Sequence, residues 1–166
     1  MKVNVLMSTY NGEHYIKQQL DSIMSQEKVD VDLLVRDDGS WDSTLGILQK
    51  YKEKGKLRWY KGENQGPARS FLTLLQDSSD DADFYAFADQ DDFWKPEKLD
   101  VAVEKLKASK NVPALYFSRT QMTDATLKPT GIIEIEPQWR FLFIVHIIIG
   151  YNLFCFKFFQ KFCKYC

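Results

Sequence analysis

The chain has 166 residues, enough for one domain with one core. Its 22 Lys and Arg against 23 Asp and Glu lack the basic excess of a nucleic-acid binder. At 45% hydrophobic and 27% charged residues it is neither disordered nor collagen-like. The first 154 residues contain no cysteine, and His14 and His146 are the only histidines. That leaves little material for a disulfide framework, a zinc site or a serine-histidine triad, and it fits a reducing, cytoplasmic compartment. The opening Met1-Lys2-Val3-Asn4-Val5-Leu6-Met7 is too short an apolar run for a signal peptide and reads as a strand.

In chain order, Val3 to Ser8 predicts a strand, Tyr10-Asn11-Gly12 a turn, and Tyr15, Ile16, Gln19, Leu20, Ile23 and Met24 one face of a helix. The same grammar repeats. Val31 to Val35 is a second strand, Asp37-Asp38-Gly39-Ser40 its turn, and Leu45, Ile47, Leu48 and Tyr51 a second helix with Asp42 or Ser43 as N-cap. Leu57 to Tyr60 forms a third strand, followed by a polar loop and a helix opened by Pro67. Phe84 to Ala88 is a buried fourth strand, Asp89-Gln90-Asp91-Asp92 its turn, and Pro96 opens a fourth helix; Ala114 to Phe117 is a fifth strand. Such alternation calls for an α/β fold: an open, mainly parallel sheet with helices on both faces. Ligands of such sheets sit outside the carboxyl ends of the strands, so the polar turns there are the candidate site.

Asp89 and Asp91, two apart after an apolar strand, point the same way if the chain stays extended. Together they could hold Mg²⁺ or Mn²⁺, which takes one or two protein carboxylates and completes its shell with water and substrate phosphates. A solvated acidic loop is the plainer reading of the same spacing. Asp38 could accept the imide N–H of a pyrimidine base, or Asp37-Asp38-Gly39 could simply be a turn. Tyr10 suits a base cradle or a core lid. Arg69, in the first turn of the third helix, suits a phosphate or solvent. Trp94 before Pro96 reads better as a hydrophobic staple than as a sugar wall, and His14 as a solvated helix residue.

Taken together, Ser-Thr-Tyr-Asn-Gly after strand one, Asp-Asp-Gly-Ser-x-Asp after strand two, Asn-x-Gly after strand three and Asp-Gln-Asp-Asp-x-Trp-x-Pro after strand four resemble family 2 glycosyltransferases of the GT-A (Rossmann-like) fold, over about residues 2 to 131. Within that family the chain looks most like bacterial rhamnosyltransferases that build surface polysaccharides. The resemblance implies metal-dependent, inverting transfer of a sugar from a UDP- or dTDP-sugar to a saccharide or lipid-linked acceptor. It implies Ser8, Thr9, Tyr10, Asn11 and Asp38 at the nucleoside, Arg69 at the phosphates, Asp89 and Gln90 at the sugar diphosphate, and Asp89 and Asp91 at the metal. The base toward the acceptor hydroxyl would be an acid of the second half. A nucleotide-sugar-binding protein without turnover is the other functional reading. A sugar nucleotidyltransferase is disfavoured, because no Gly-rich phosphate loop follows strand one.

Residues 1–131 are thus expected to form the nucleotide-sugar half, and 132–166 an atypical tail in which the acceptor half is incomplete. Residues 138–166 carry Arg140, Lys157, Lys161 and Lys164, no acid, ten aromatic residues and all three cysteines, Cys155, Cys163 and Cys166. No acid follows Glu136. Out-of-frame translation is the leading account of this abrupt change. The others are a membrane span, for which the uncharged 141–156 run is short, and a basic-aromatic anchor at the inner membrane face.

Overall fold

The computed structural model describes residues 1–108, 114–118, 120–133 and 154–157. The predicted alternation is present: β1 (Lys2–Thr9), α1 (Ile16–Met24), β2 (Asp30–Asp37), α2 (Thr44–Glu53), β3 (Arg58–Lys61), α3 (Pro67–Asp77), β4 (Phe84–Ala88), α4 (Lys98–Lys107) and β5 (Ala114–Phe117). Beyond these lie β6 (Thr120–Thr123), β7 (Pro129–Ile133) and β8 (Phe154–Lys157). Six strands form one sheet in the order β3-β2-β1-β4-β8-β5, and β6 pairs with β7 separately. β1 to β4 are mutually parallel, whereas β8 runs antiparallel to both β4 and β5.

Alternation along β1 divides the core. Val3, Val5 and Met7 stand level with Leu33 and Val35 of β2 and with Phe84, Ala86 and Ala88 of β4, and pack with Ile16, Leu20, Ile23, Leu48, Leu99 and Val103 from α1, α2 and α4. Leu6 faces the other way, beside Leu34 and Tyr85, under Phe71 and Leu74 of α3. Because the register is aligned across the three central strands, their carboxyl ends finish at one edge, and their turns lie side by side. Trp94 is fully buried in the first of these clusters, but with Glu97 as N-cap the N′ residue is Pro96, so Trp94 packs as a core residue and not as the expected staple.

Three details depart from expectation. Pro96 precedes α4 by two residues instead of opening it, so the helix starts at Lys98. Ser43 occupies the N-cap of α2 without a side-chain cap bond, while Asp42 Oδ1 accepts from the Thr44 amide at 2.9 Å. And within the segment expected to be an atypical tail, residues 154–157 pair on both sides as β8. Most of the uncharged run, Cys163 and Cys166 lie outside the described residues. No described helix is long and apolar enough to cross a membrane.

Candidate functional site

The turns after β1 and β2 are laced together. Asn11, at φ +49°, donates its amide to Ser40 Oγ (2.9 Å) and accepts the Trp41 amide on Oδ1 (3.0 Å). The Gly12 amide donates to Thr44 Oγ1 and the Glu13 amide to Asp42 Oδ2. Asp37 Oδ1 accepts the Gly39 and Ser40 amides at 3.1 and 2.9 Å, with Gly39 at φ +93°. The turn reading of Asp-Asp-Gly therefore belongs to Asp37. Tyr10 is 44% exposed above this edge, which excludes a core-lid role.

Asp38 differs from a carboxylate waiting at an open edge. It is buried, and its oxygens are already met by protein donors. Oδ1 pairs with Arg36 Nη1, the Gln65 amide is shared between Oδ1 and Oδ2 at 3.2 and 3.1 Å, and the Gly66 amide donates to Oδ2 at 3.0 Å. Arg36 is likewise buried, and it donates further to Ser70 Oγ (3.0 Å) and the Glu63 carbonyl (2.9 Å). Ser8 Oγ lies 2.6 Å from Ser70 Oγ, which continues the network to β1. Arg36 belongs to this edge and was not singled out in the sequence. Its signal was available, since an Arg at the end of Leu33-Leu34-Val35 alternates onto the face of Leu34 and needs a buried anion there.

The turn after β4 is organised differently. The strand ends at Ala88 and residues 90 and 91 already turn, so the extended-strand argument for parallel Asp89 and Asp91 carboxylates does not apply. Asp91 is exposed, whereas Asp89 and Asp92 are half-buried. Burial, followed by the charge of Asp91, pushes the Asp89 carboxyl up to about 6. Asp92 is also raised, by burial and then by Asp89, against a lowering contribution from the Trp94 side chain. Lys98, lowered by burial, faces both acids and stands 4.9 Å from the Trp94 ring centroid. It too was missed; two residues past Pro96 it is placed at the head of α4, beside the acid turn. Gln90, expected at the sugar diphosphate, has its amide engaged with β1. Its Oε1 accepts from Thr9 Oγ1 (2.6 Å) and the Tyr10 amide (2.9 Å), and its Nε2 donates to the Tyr10 carbonyl (3.1 Å). A Cβ on Gly12 would collide with that Oε1, which is why the β1 turn closes on glycine.

Arg69 is exposed in the first turn of α3, after Gly66 at φ +80°, and has no salt-bridge partner among the described residues. Ser8, Thr9, Tyr10, Asn11, Asp38, Arg69, Asp89, Gln90 and Asp91 thus all come to one edge of the sheet, although Asp38 and Gln90 are turned to protein partners. Among the described residues no three His, Cys, Asp or Glu side chains form a ready metal cage. The acid turn nevertheless fits a hard divalent cation that shares its shell with a ligand. It gathers three carboxylates in one turn, and burial and mutual repulsion raise two of them, Asp89 and Asp92.

Comparison with known proteins agrees with this geometry. The family model described as glycosyl transferase family 2 matches residues 4–162, beyond the 131 reached by motif resemblance. The dTDP-rhamnosyl transferase RfbG of Shigella flexneri is 33% identical over 136 residues, covering 75% of this chain and 47% of its own length. The crystal structure of S. aureus TarS 1-349 in complex with UDP-GlcNAc superposes with a TM-score of 0.58 at 32% identity, over 65% of this chain and 32% of that one. The mannosyltransferase PcManGT from Pyrobaculum calidifontis, solved with GDP-Man and Mn²⁺, gives 0.54 at 26% identity, over 63% and 32%. The chain spans less than half the length of each. An aligned parallel sheet with its polar turns on one edge, and a family match running through nearly every residue, make this chain a member of glycosyl transferase family 2.

Proposed function

We propose that the chain is the donor-binding part of a metal-dependent glycosyltransferase that moves a sugar, with inversion, from a UDP- or dTDP-sugar to a saccharide or lipid-linked acceptor. One observation carries the reading. The same sheet edge gathers the carboxylates of Asp89, raised to about 6 by burial, and of the exposed Asp91, together with an exposed Arg69 in the first turn of α3 that has no salt-bridge partner among the described residues. A nucleoside diphosphate is the chemistry that both would meet, its phosphates taking the guanidinium and the helix end, and a shared cation taking the carboxylates. The UDP-GlcNAc bound by TarS and the GDP-Man and Mn²⁺ bound by PcManGT support the class of ligand.

In this reading Asp89 and Asp91 hold Mg²⁺ or Mn²⁺, and the bound cation supplies neutralisation of the charge that develops on the leaving diphosphate. Asp92 and Lys98 set the charge of the turn from behind. Tyr10, Thr9, Asn11 and Ser8 line the nucleoside side, and Gln90 braces Thr9 and Tyr10 there. Asp38 takes a pyrimidine imide N–H in exchange for the Gln65 amide, the donor it shares most loosely between its two oxygens. The proton of the acceptor hydroxyl goes to an acid of the second half, for which no residue after Glu136 is a candidate.

Competition titrations with UDP, dTDP, GDP and ADP test the proposal. Preference for the pyrimidine diphosphates is expected; preference for a purine diphosphate would overturn the assignment of the base site.

A further inference from the structure

Between the base side and the phosphate side of this edge lies a buried arginine whose contacts run to both. Arg36 reaches Asp38, Ser70 Oγ at the first turn of α3, and the Glu63 carbonyl in the loop 62–66. Asp38 in turn receives the amides of Gln65 and Gly66, the last residues of that loop before Pro67 opens α3. Gly62 is part of the same arrangement, since a Cβ there would collide with the Arg36 guanidinium. The pair thus fixes where the loop ends, hence where α3 begins and where Arg69 stands three residues past Gly66. A planar, five-donor guanidinium can satisfy a carboxylate, a hydroxyl and a carbonyl in three directions at once, which an ammonium cannot do in the same plane.

We infer that Arg36 is a positioning residue that couples Asp38 to the loop 62–66 and so sets the grip of α3 and Arg69 on the diphosphate end of the nucleotide. The inference rests on the proposed nucleotide site and adds to it the residue that ties its two ends together. A residue that only aimed Asp38 at the base would affect every uridine nucleotide alike. A residue that holds the loop affects binding more strongly the more phosphate the nucleotide carries.

The test compares UMP and UDP binding by calorimetry, with Mn²⁺ present, for the wild-type chain, Arg36→Lys, Gly62→Ala and Arg69→Gln. Gly62→Ala leaves the charge of Arg36 in place and displaces its guanidinium, so it probes the geometry if Arg36→Lys folds poorly. Expected is a loss of about tenfold in UDP affinity with UMP changed less than about threefold in both variants, and little further loss when Arg69→Gln is added. Equal losses for UMP and UDP, or lowered thermal stability with both affinities unchanged, would overturn the inference while leaving the nucleotide site intact. Failure of the wild-type chain to bind UDP would remove the proposed function and this inference with it.

Discussion

Two acid pairs end neighbouring stretches of one sheet edge, and the protein treats them oppositely. Asp37 and Asp38 accept backbone amides and Asp38 also the Arg36 guanidinium, with Asp37 Oδ2 left without a partner among the described residues, whereas Asp89 and Asp92 sit in a poorly solvated turn with Lys98 as their nearby cation. Carboxylates met from within fix the loops around them, as Asp38 fixes the loop 62–66 beside the proposed base site. Those left under-satisfied keep an electrostatic cost that a ligand can relieve. The same residue type at equivalent strand ends thus stands in two environments, one rich in amide and guanidinium donors and one in which burial and neighbouring acids raise Asp89 and Asp92.

The largest effect should come from breaking the satisfied pair. Asp38→Ala leaves the Arg36 charge buried and strips the loop of two acceptors, so stability to urea should fall by about 3 to 5 kcal/mol. A loss under about 1 kcal/mol would show that the pair is scarcely coupled to the fold. Next, Asp91→Asn should weaken Mn²⁺-dependent UDP binding by roughly ten- to a hundredfold, about 1.4 to 2.8 kcal/mol, while the melting temperature stays near wild type because Asp91 is exposed.

The pH response sharpens the contrast further. Asp89 is raised from 3.8 to about 6, so as pH climbs through that window the unfolded chain gives up its proton first, and the metal-free fold loses stability. Raised Asp92 acts in the same sense. Asp92→Asn should therefore stabilise the metal-free protein at about pH 8 by on the order of 1 to 2 kcal/mol and make little difference near pH 4, as read from urea midpoints. The smallest effect on stability belongs to Arg69→Gln, within about 0.5 kcal/mol for an exposed side chain. Its mark should be a few-fold loss of UDP affinity in calorimetry.

The parallel strands were legible because each is a short apolar run closed by a polar turn, and the candidate edge followed from topology alone. Legibility failed where a side chain's partner is remote in sequence. Gln90 and Thr9 are 81 positions apart, and nothing in Asp-Gln-Asp-Asp says that the amide will brace β1. Asp38 could be read as a binding acid because the residues that occupy it, Gln65 and Gly66, lie in a loop whose path no periodicity encodes. Arg36 and Lys98 were visible only as charges near apolar runs. β8 was missed for another reason: its four residues, Phe154–Lys157, close a long uncharged run and are too few to carry a period that separates strand from anything else. The proposed roles of the nine candidate residues remain as read from resemblance, with Asp38 and Gln90 refined by their observed partners.

The proposed donor site requires the acid turn to receive a cation together with a diphosphate. Titration of UDP into the wild-type chain and into Asp91→Asn, each with and without Mn²⁺, measures that linkage directly. Binding that strengthens at least tenfold with Mn²⁺ in the wild type, and does not in the variant, is the predicted result; UDP affinity that is the same with and without the metal would contradict it.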